Sequence, residues 1–172
     1  MNRYFSMIFA ASLGGGCAMY AQENPLSTEV KQAYTSIKTN LTKMAEKMPD
    51  DAYSFKATPD IRTFGELVAH VADAQARTCS AVMGEQKAVN AASKKTKEEL
   101  VAALKEAFAI CDAAYDSLTD ATASQMVKTP RGERSKLAFL EGNITHDNEE
   151  YGYMSVYMRL KGVVPPSSDR SK

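Results

Sequence analysis

The chain has 172 residues, a length that suits one domain. Its 21 Lys+Arg balance 21 Asp+Glu, so there is no surplus of positive charge to hold a phosphate backbone, and a nucleic-acid partner is not expected. Hydrophobic residues at 44% and charged residues at 24% describe a globular chain and exclude a disordered one.

The first 21 residues differ from the rest. Arg3 supplies a positive start, the run 4–13 is apolar and free of acids, Gly14-Gly15-Gly16 breaks it, and Ala18-Met19-Tyr20-Ala21 precedes Gln22. That layout is a secretory signal peptide over 1–21, with cleavage after Ala21 or alternatively after Ala18. The apolar run is far below the roughly 20 residues that span a bilayer. A lipoprotein site at Cys17 is the weaker reading, because Gly14 stands where Leu is usual. The expected product is exported, periplasmic or secreted, with no membrane association after cleavage. It consists of a domain over 22–166 and a loose polar tail over 167–172.

Four helices follow. Val30, Tyr34, Ile37, Leu41, Met44 and Met48 recur in steps of three or four and mark one face of a helix between Pro25 and Pro49. Residues 49–62 read as a loop. Thr63-Phe64-Gly65-Glu66 is a capping box that opens the second helix, whose inner face carries Phe64, Leu67, Val68, Val71, Ala74, Thr78 and Val82, with His70 at its border. Gly84 closes it. After a polar stretch over 85–95, Thr96-Lys97-Glu98-Glu99 opens a third helix through Leu118 with a second capping box. Residues 119–134 read as a loop turning at Pro130-Arg131-Gly132. The fourth helix starts near Ser135, presents Leu137, Leu140, Ile144, Tyr151, Met154 and Met158, and stops at Gly162 before Pro165-Pro166. No segment alternates with period two, so no sheet is expected. The fold class is all-α, a four-helix bundle.

Chemistry candidates are few, since the chain has two histidines. His146 and Glu150 lie four apart on the fourth helix and share a face, so both can reach one metal ion. His70 can supply a third ligand across the bundle interior. Two imidazoles and a carboxylate leave coordination positions open, which suits a catalytic ion. The same residues also admit a plainer account, in which His146 and Glu150 form a surface pair and His70 is a hydrogen-bonded core residue. Asp147 is suited to orienting an imidazole. Asn143, Tyr153 and Tyr157 continue the strip. Cys79 and Cys111 sit at apolar helical positions, as two buried thiols would.

The segment Thr63-Phe64-Gly65-Glu66-Leu67-Val68-Ala69-His70-Val71-Ala72-Asp73 resembles the second helix of the DinB-like (DinB/YfiT) superfamily. His146-x-x-x-Glu150-Tyr151-Gly152, followed by Tyr157-Met158-Arg159-Leu160-Lys161-Gly162-Val163-Val164-Pro165-Pro166, resembles its last helix and tail. The resemblance implies up-down-down-up topology and a divalent metal held at His70, His146 and the position of Glu150; the helical strip itself offers Asp147, Asn143 and Tyr153 as residues behind them. Here the chain departs from the family pattern, in which the position of Glu150 is a third histidine and that of Tyr153 often a Gln. Zn, Ni, Fe and Mn all suit the set. With helices two and three parallel, Cys79 and Cys111 would be level. In a simple hairpin they would be offset by about 15 Å, too far to bridge. Free thiols are the expectation.

Characterised members of the superfamily include metal-dependent transferases and isomerases that use low-molecular-weight thiols. The resemblance therefore implies a metal-dependent hydrolase or thiol transferase acting on a small molecule, with a homodimer as its assembly. The alternatives are a non-catalytic metal- or ligand-binding bundle, and a metal-free member with a structural or stress-related role.

Overall fold

The computed structural model describes residues 24–129 and 132–170. The signal-peptide and lipoprotein readings lie outside the described residues. Four helices form an all-α bundle: α1 (Pro25–Lys47), α2 (Phe64–Val82), α3 (Lys97–Asp116) and α4 (Lys136–Leu160). No described helix is long and apolar enough to cross a membrane.

The helix starts follow local chemistry. Pro25 occupies the first turn of α1, where its missing N–H costs nothing. At α2 the Glu66 amide donates to Thr63 Oγ1 (3.0 Å) while the Thr63 amide donates to Glu66 Oε2 (2.6 Å). Thr96 and Glu99 repeat this reciprocal pair at α3. Ser135 accepts from the Ala138 amide at α4. These caps satisfy amides that the helix itself cannot. Gly84 and Gly162 adopt left-handed φ values of 73° and 70° after α2 and α4, a conformation that costs glycine little.

Side-chain pairs fix the relative directions. Lys38 meets Asp112 at 2.6 Å and Lys105 meets Glu46 at 2.6 Å, so α1 and α3 run oppositely. Gly65 lies against Leu100, and Ser117 Oγ lies 3.3 Å from Met83 Sδ, so α2 and α3 run the same way. The Tyr157 hydroxyl donates to the Arg62 carbonyl (2.6 Å), and Asn143 meets Gln75 (2.8 Å), so α2 and α4 are antiparallel. A Cβ at Gly65 would come within 3.3 Å of Tyr53 and Leu100, so glycine lets the 49–62 loop and α3 close on the start of α2.

The periodic faces named from sequence form the core. Val30, Tyr34, Ile37, Leu41, Met44 and Met48 are all buried on α1, and Leu100, Leu104, Phe108, Cys111 and Tyr115 on α3. Each such side chain is worth about 1.5–3 kcal/mol on burial.

Three sequence expectations change. Cys79 and Cys111 are joined in a disulfide, with Cα atoms 5.0 Å apart, not two free thiols. The common direction of α2 and α3 levels the cysteines, and that is a property of the topology rather than of local sequence. A two-stranded antiparallel hairpin, β1 (Met126–Thr129) and β2 (Gly132–Ser135), occupies part of the expected loop. Its strands have four residues each and are mostly exposed, with Val127 the one buried side chain among the described residues, so no alternation announces them. The tail is tied down rather than loose as far as Asp169. Tyr151 donates to Ser167 Oγ (2.8 Å), Arg159 to Ser168 Oγ (3.1 Å) and Lys47 to Asp169 (2.7 Å).

Candidate metal centre

The antiparallel register of α2 and α4 is pinned on two sides, by Arg62 with Tyr157 and by Gln75 with Asn143. Between these ties, residue 70 falls opposite residues 146 to 150. His70 Nε2 and His146 Nε2 lie 3.1 Å apart. Glu150 Oε1 is 3.5 Å from the first and 3.8 Å from the second. One ligand atom from each of the three residues falls within 4.8 Å of the others. This group could hold a metal ion.

The environment is graded. Glu150 is buried at 5% exposure and Asp147 is fully enclosed. The imidazoles of His70 and His146 remain about one-third exposed, at 32% and 30%. The carboxylate therefore lies at the floor of the group, with the two rings at its open edge. Burial raises Glu150 above the ordinary carboxylate value, against the opposing charges of His146 and Arg62. Burial lowers His70, assisted by the charge of Arg62. His146 goes the other way: the Asp147 carboxylate facing Nδ1 holds the imidazole above its ordinary value, ahead of the opposing effect of burial. Asp147 is itself raised by its enclosure.

Behind the ligand group runs a polar chain. Asp147 Oδ1 lies 3.6 Å from His146 Nδ1 and accepts a hydrogen bond from Gln75 Nε2. Gln75 Oε1 accepts from Asn143 Nδ2 (2.8 Å). The disulfide sulfur of Cys111 packs 2.9 Å from the same Gln75 oxygen. As a disulfide it carries no proton to donate. His146 Nδ1, Asp147 Oδ2 and Glu150 Oε2 are buried without a hydrogen-bond partner. Buried polar atoms left so are rare in folded proteins and call for an explanation.

The structure brings together His70, His146 and Glu150 and sets Asp147 against His146. Asn143 is joined to Asp147 through Gln75. Tyr153 is a correction: it is 52% exposed, and its hydroxyl donates to Glu149 (2.8 Å) on the outer face. Tyr157 donates to the Arg62 carbonyl and serves the helix register. Sequence reasoning missed Gln75, which is fully buried. Its signal was its position four residues after Val71, inside the inward face of α2.

A helical bundle carrying a two-histidine, one-carboxylate group between its second and fourth helices defines the class. The family follows from the match of residues 33–154 to the DinB superfamily: the chain belongs to it. Solved structures agree in fold. A DinB-like protein from Bacillus cereus superposes with TM-score 0.69 at 21% identity, covering 81% of this chain and 95% of that one. A DinB-like protein from Bacillus subtilis gives 0.66 at 21% identity, over 83% and 99%. A mycothiol-dependent maleylpyruvate isomerase gives 0.58 at 16% identity, over 76% of this chain and 59% of that one. No curated protein matches the sequence.

Proposed function

We propose that this chain is an exported member of the DinB superfamily that holds a divalent metal ion through His70, His146 and Glu150 and acts on a small molecule, by hydrolysis or by thiol transfer. The observation that carries the reading is the convergence of three ligand atoms at a half-open edge, with Glu150 Oε2 buried and unpartnered. The donor set fits: two imidazole nitrogens and one carboxylate oxygen suit Zn, Ni, Fe or Mn. The directions of the helix pairs support the up-down-down-up order that the family resemblance implies. A thiol-dependent relative supports thiol as one candidate nucleophile.

Each residue has a definable task. Glu150 contributes negative charge from the floor of the site. His70, lowered by burial, is neutral and able to donate its nitrogen lone pair at neutral pH. Asp147 faces His146 Nδ1 and favours the tautomer with its proton there, leaving Nε2 free to bind. Gln75 keeps Asp147 in place by donating to Oδ1. A divalent ion held by His70, His146 and Glu150 would lower the pKa of a bound water or thiol and so supply a nucleophile at neutral pH.

Metal analysis of the protein as isolated, beside His70→Ala and Glu150→Ala, tests the proposal. One ion per chain, lost in both variants, is expected. Absence of a transition-metal ion even after incubation with Zn, Ni, Fe or Mn salts would overturn it. Assays with thiol and ester substrates then separate the two reactions.

A further inference from the structure

We propose that the cleft between α2 and α4, next to the two imidazoles, is a binding site for a small molecule ending in an oxyanion, a carboxylate or a phosphate, which Arg77 and Arg134 receive. This deepens the metal-centre reading and rests on it for what the other end of the molecule meets. The oxyanion site itself stands on separate residues.

The sequence positions create the cleft. Arg77 follows His70 by seven residues, two turns along α2, and so lies on nearly the same face. On α4, which runs antiparallel, Gly142 and Phe139 lie one and two turns before His146. A groove therefore leads from the histidine pair toward the hairpin, where Arg134 projects from β2. Its volume is about 490 Å³, within the range of sites for small organic ligands. His70 and His146 form one end of it, and Arg77 and Arg134 line the rest together with Thr78 and Asn143.

Charge distinguishes this cleft from its neighbour. The larger cleft on the other side of His70, about 1150 Å³, shares Arg77 with this one and interleaves Lys56, Arg62 and Lys95 with Asp60, Glu66 and Asp73. Among the described residues, the lining of the α2–α4 cleft holds two guanidinium groups, those of Arg77 and Arg134, and no acid. Neither arginine is paired with a carboxylate among the described residues. Arg134 is also held in place. Its guanidinium carbon lies 5.8 Å from the Phe139 ring centroid, and Nη1 rests 3.5 Å from where a Cβ on Gly142 would be. An arginine packed over a ring beside a bare backbone has lost part of its side-chain freedom before any ligand arrives. Less entropy is then spent on binding a planar or tetrahedral oxyanion through its fork of N–H groups.

The two histidines supply the readout, because the chain has only two. Their ring C–H proton resonances can be followed while metal-free protein is titrated at slightly alkaline pH with succinate, with inorganic phosphate, and with succinamide as the neutral control. We expect at least one of the two anions to shift both histidine signals and to bind about tenfold or more tightly than succinamide. Arg77→Gln and Arg134→Gln should each weaken that binding about tenfold, as loss of a charge-assisted hydrogen bond does. Both arginines are exposed, and unchanged thermal unfolding checks that the variants fold. Saturation by succinate alone identifies a carboxylate, and by phosphate alone a phosphate; either supports the site. No preference for either anion over succinamide, or a preference that survives in the doubly substituted protein, overturns it. Repeating the titration on zinc-treated protein separates the two readings. Anion preference without metal uptake keeps this site and removes the metal centre, whereas metal uptake without anion preference does the reverse.

Discussion

The seam between α1 and α3 and the seam between α2 and α4 are built from the same helical geometry but different chemistry. In the first, Tyr34 stacks on Tyr115 with ring centroids 3.8 Å apart, and Leu41, Met44 and Leu104 are buried further along the same two helices. Its polar groups are matched at the rim, where Asp112 receives both Lys38 and the Tyr34 hydroxyl. The second seam buries Gln75, Asn143, Asp147 and Glu150 in consecutive turns. The buried side-chain atoms without partners among the described residues all lie there. A bundle gains nothing in stability from such atoms, since each carries an unrecovered desolvation cost. Their concentration on one seam makes it the candidate site, while apolar side chains of α2 and α4 share one core with those of α1 and α3.

Breaking the apolar seam should therefore cost the most stability and leave the site's chemistry intact. Leu41→Ala, at a position with no exposure, should lower unfolding free energy by about 3–5 kcal/mol, measured by urea titration, without changing metal content. Removing the disulfide comes next. It closes a loop across a separation of 32 residues, and its loss, by reduction or by Cys79→Ala with Cys111→Ala, should cost about 3 kcal/mol. Equal urea midpoints with and without reductant would contradict the bond.

The polar seam should respond oppositely. Zinc at about 100 times its dissociation constant should stabilise the protein by about 2.7 kcal/mol, seen as a raised thermal midpoint. Glu150→Gln should abolish that gain. In metal-free protein the same substitution should change stability by no more than about 1 kcal/mol, in either direction, because it removes a buried charge along with any contact that charge makes. A large loss of metal-free stability in Glu150→Gln would mean that this seam is structural after all.

Sequence period made the helices and their buried faces legible, and the Thr63/Glu66 and Thr96/Glu99 boxes placed two helix starts. The juxtaposition of His70, His146 and Glu150 was legible for a narrower reason: two histidines and one i,i+4 carboxylate leave little to enumerate. The Cys79–Cys111 bond depends on helix direction, which no local pattern encodes. Gln75 reads as an ordinary polar residue until α4 is placed opposite it. Tyr153 follows His146 by seven residues and is nearly in phase with it, yet it lies two turns on, where its hydroxyl turns outward to Glu149. The hairpin left no period to read, because its short strands cover little core.

The smallest expected effect lies where the two seams are alike. α2 belongs to the polar seam and α3 packs on α1, yet both start with the same reciprocal Thr–Glu pair. Thr63→Ala and Thr96→Ala should each cost about 1 kcal/mol, with metal content unchanged in both. Acid should act on these caps with a definite sign. The Thr63 amide bond to Glu66, and the Lys95 and Thr96 amide bonds to Glu99, hold both carboxyls below the ordinary glutamate value. Their contribution is then fully present above the unfolded value of 4.5 and is lost as pH falls through the lower folded value. Glu66→Gln keeps an acceptor for the Thr63 amide but cannot titrate. Its stability relative to the parent should therefore be lower at neutral pH and converge as the solution is acidified below pH 4.5. A gap that stays constant across that range would show that the carboxylate charge adds nothing to the cap beyond its hydrogen bond.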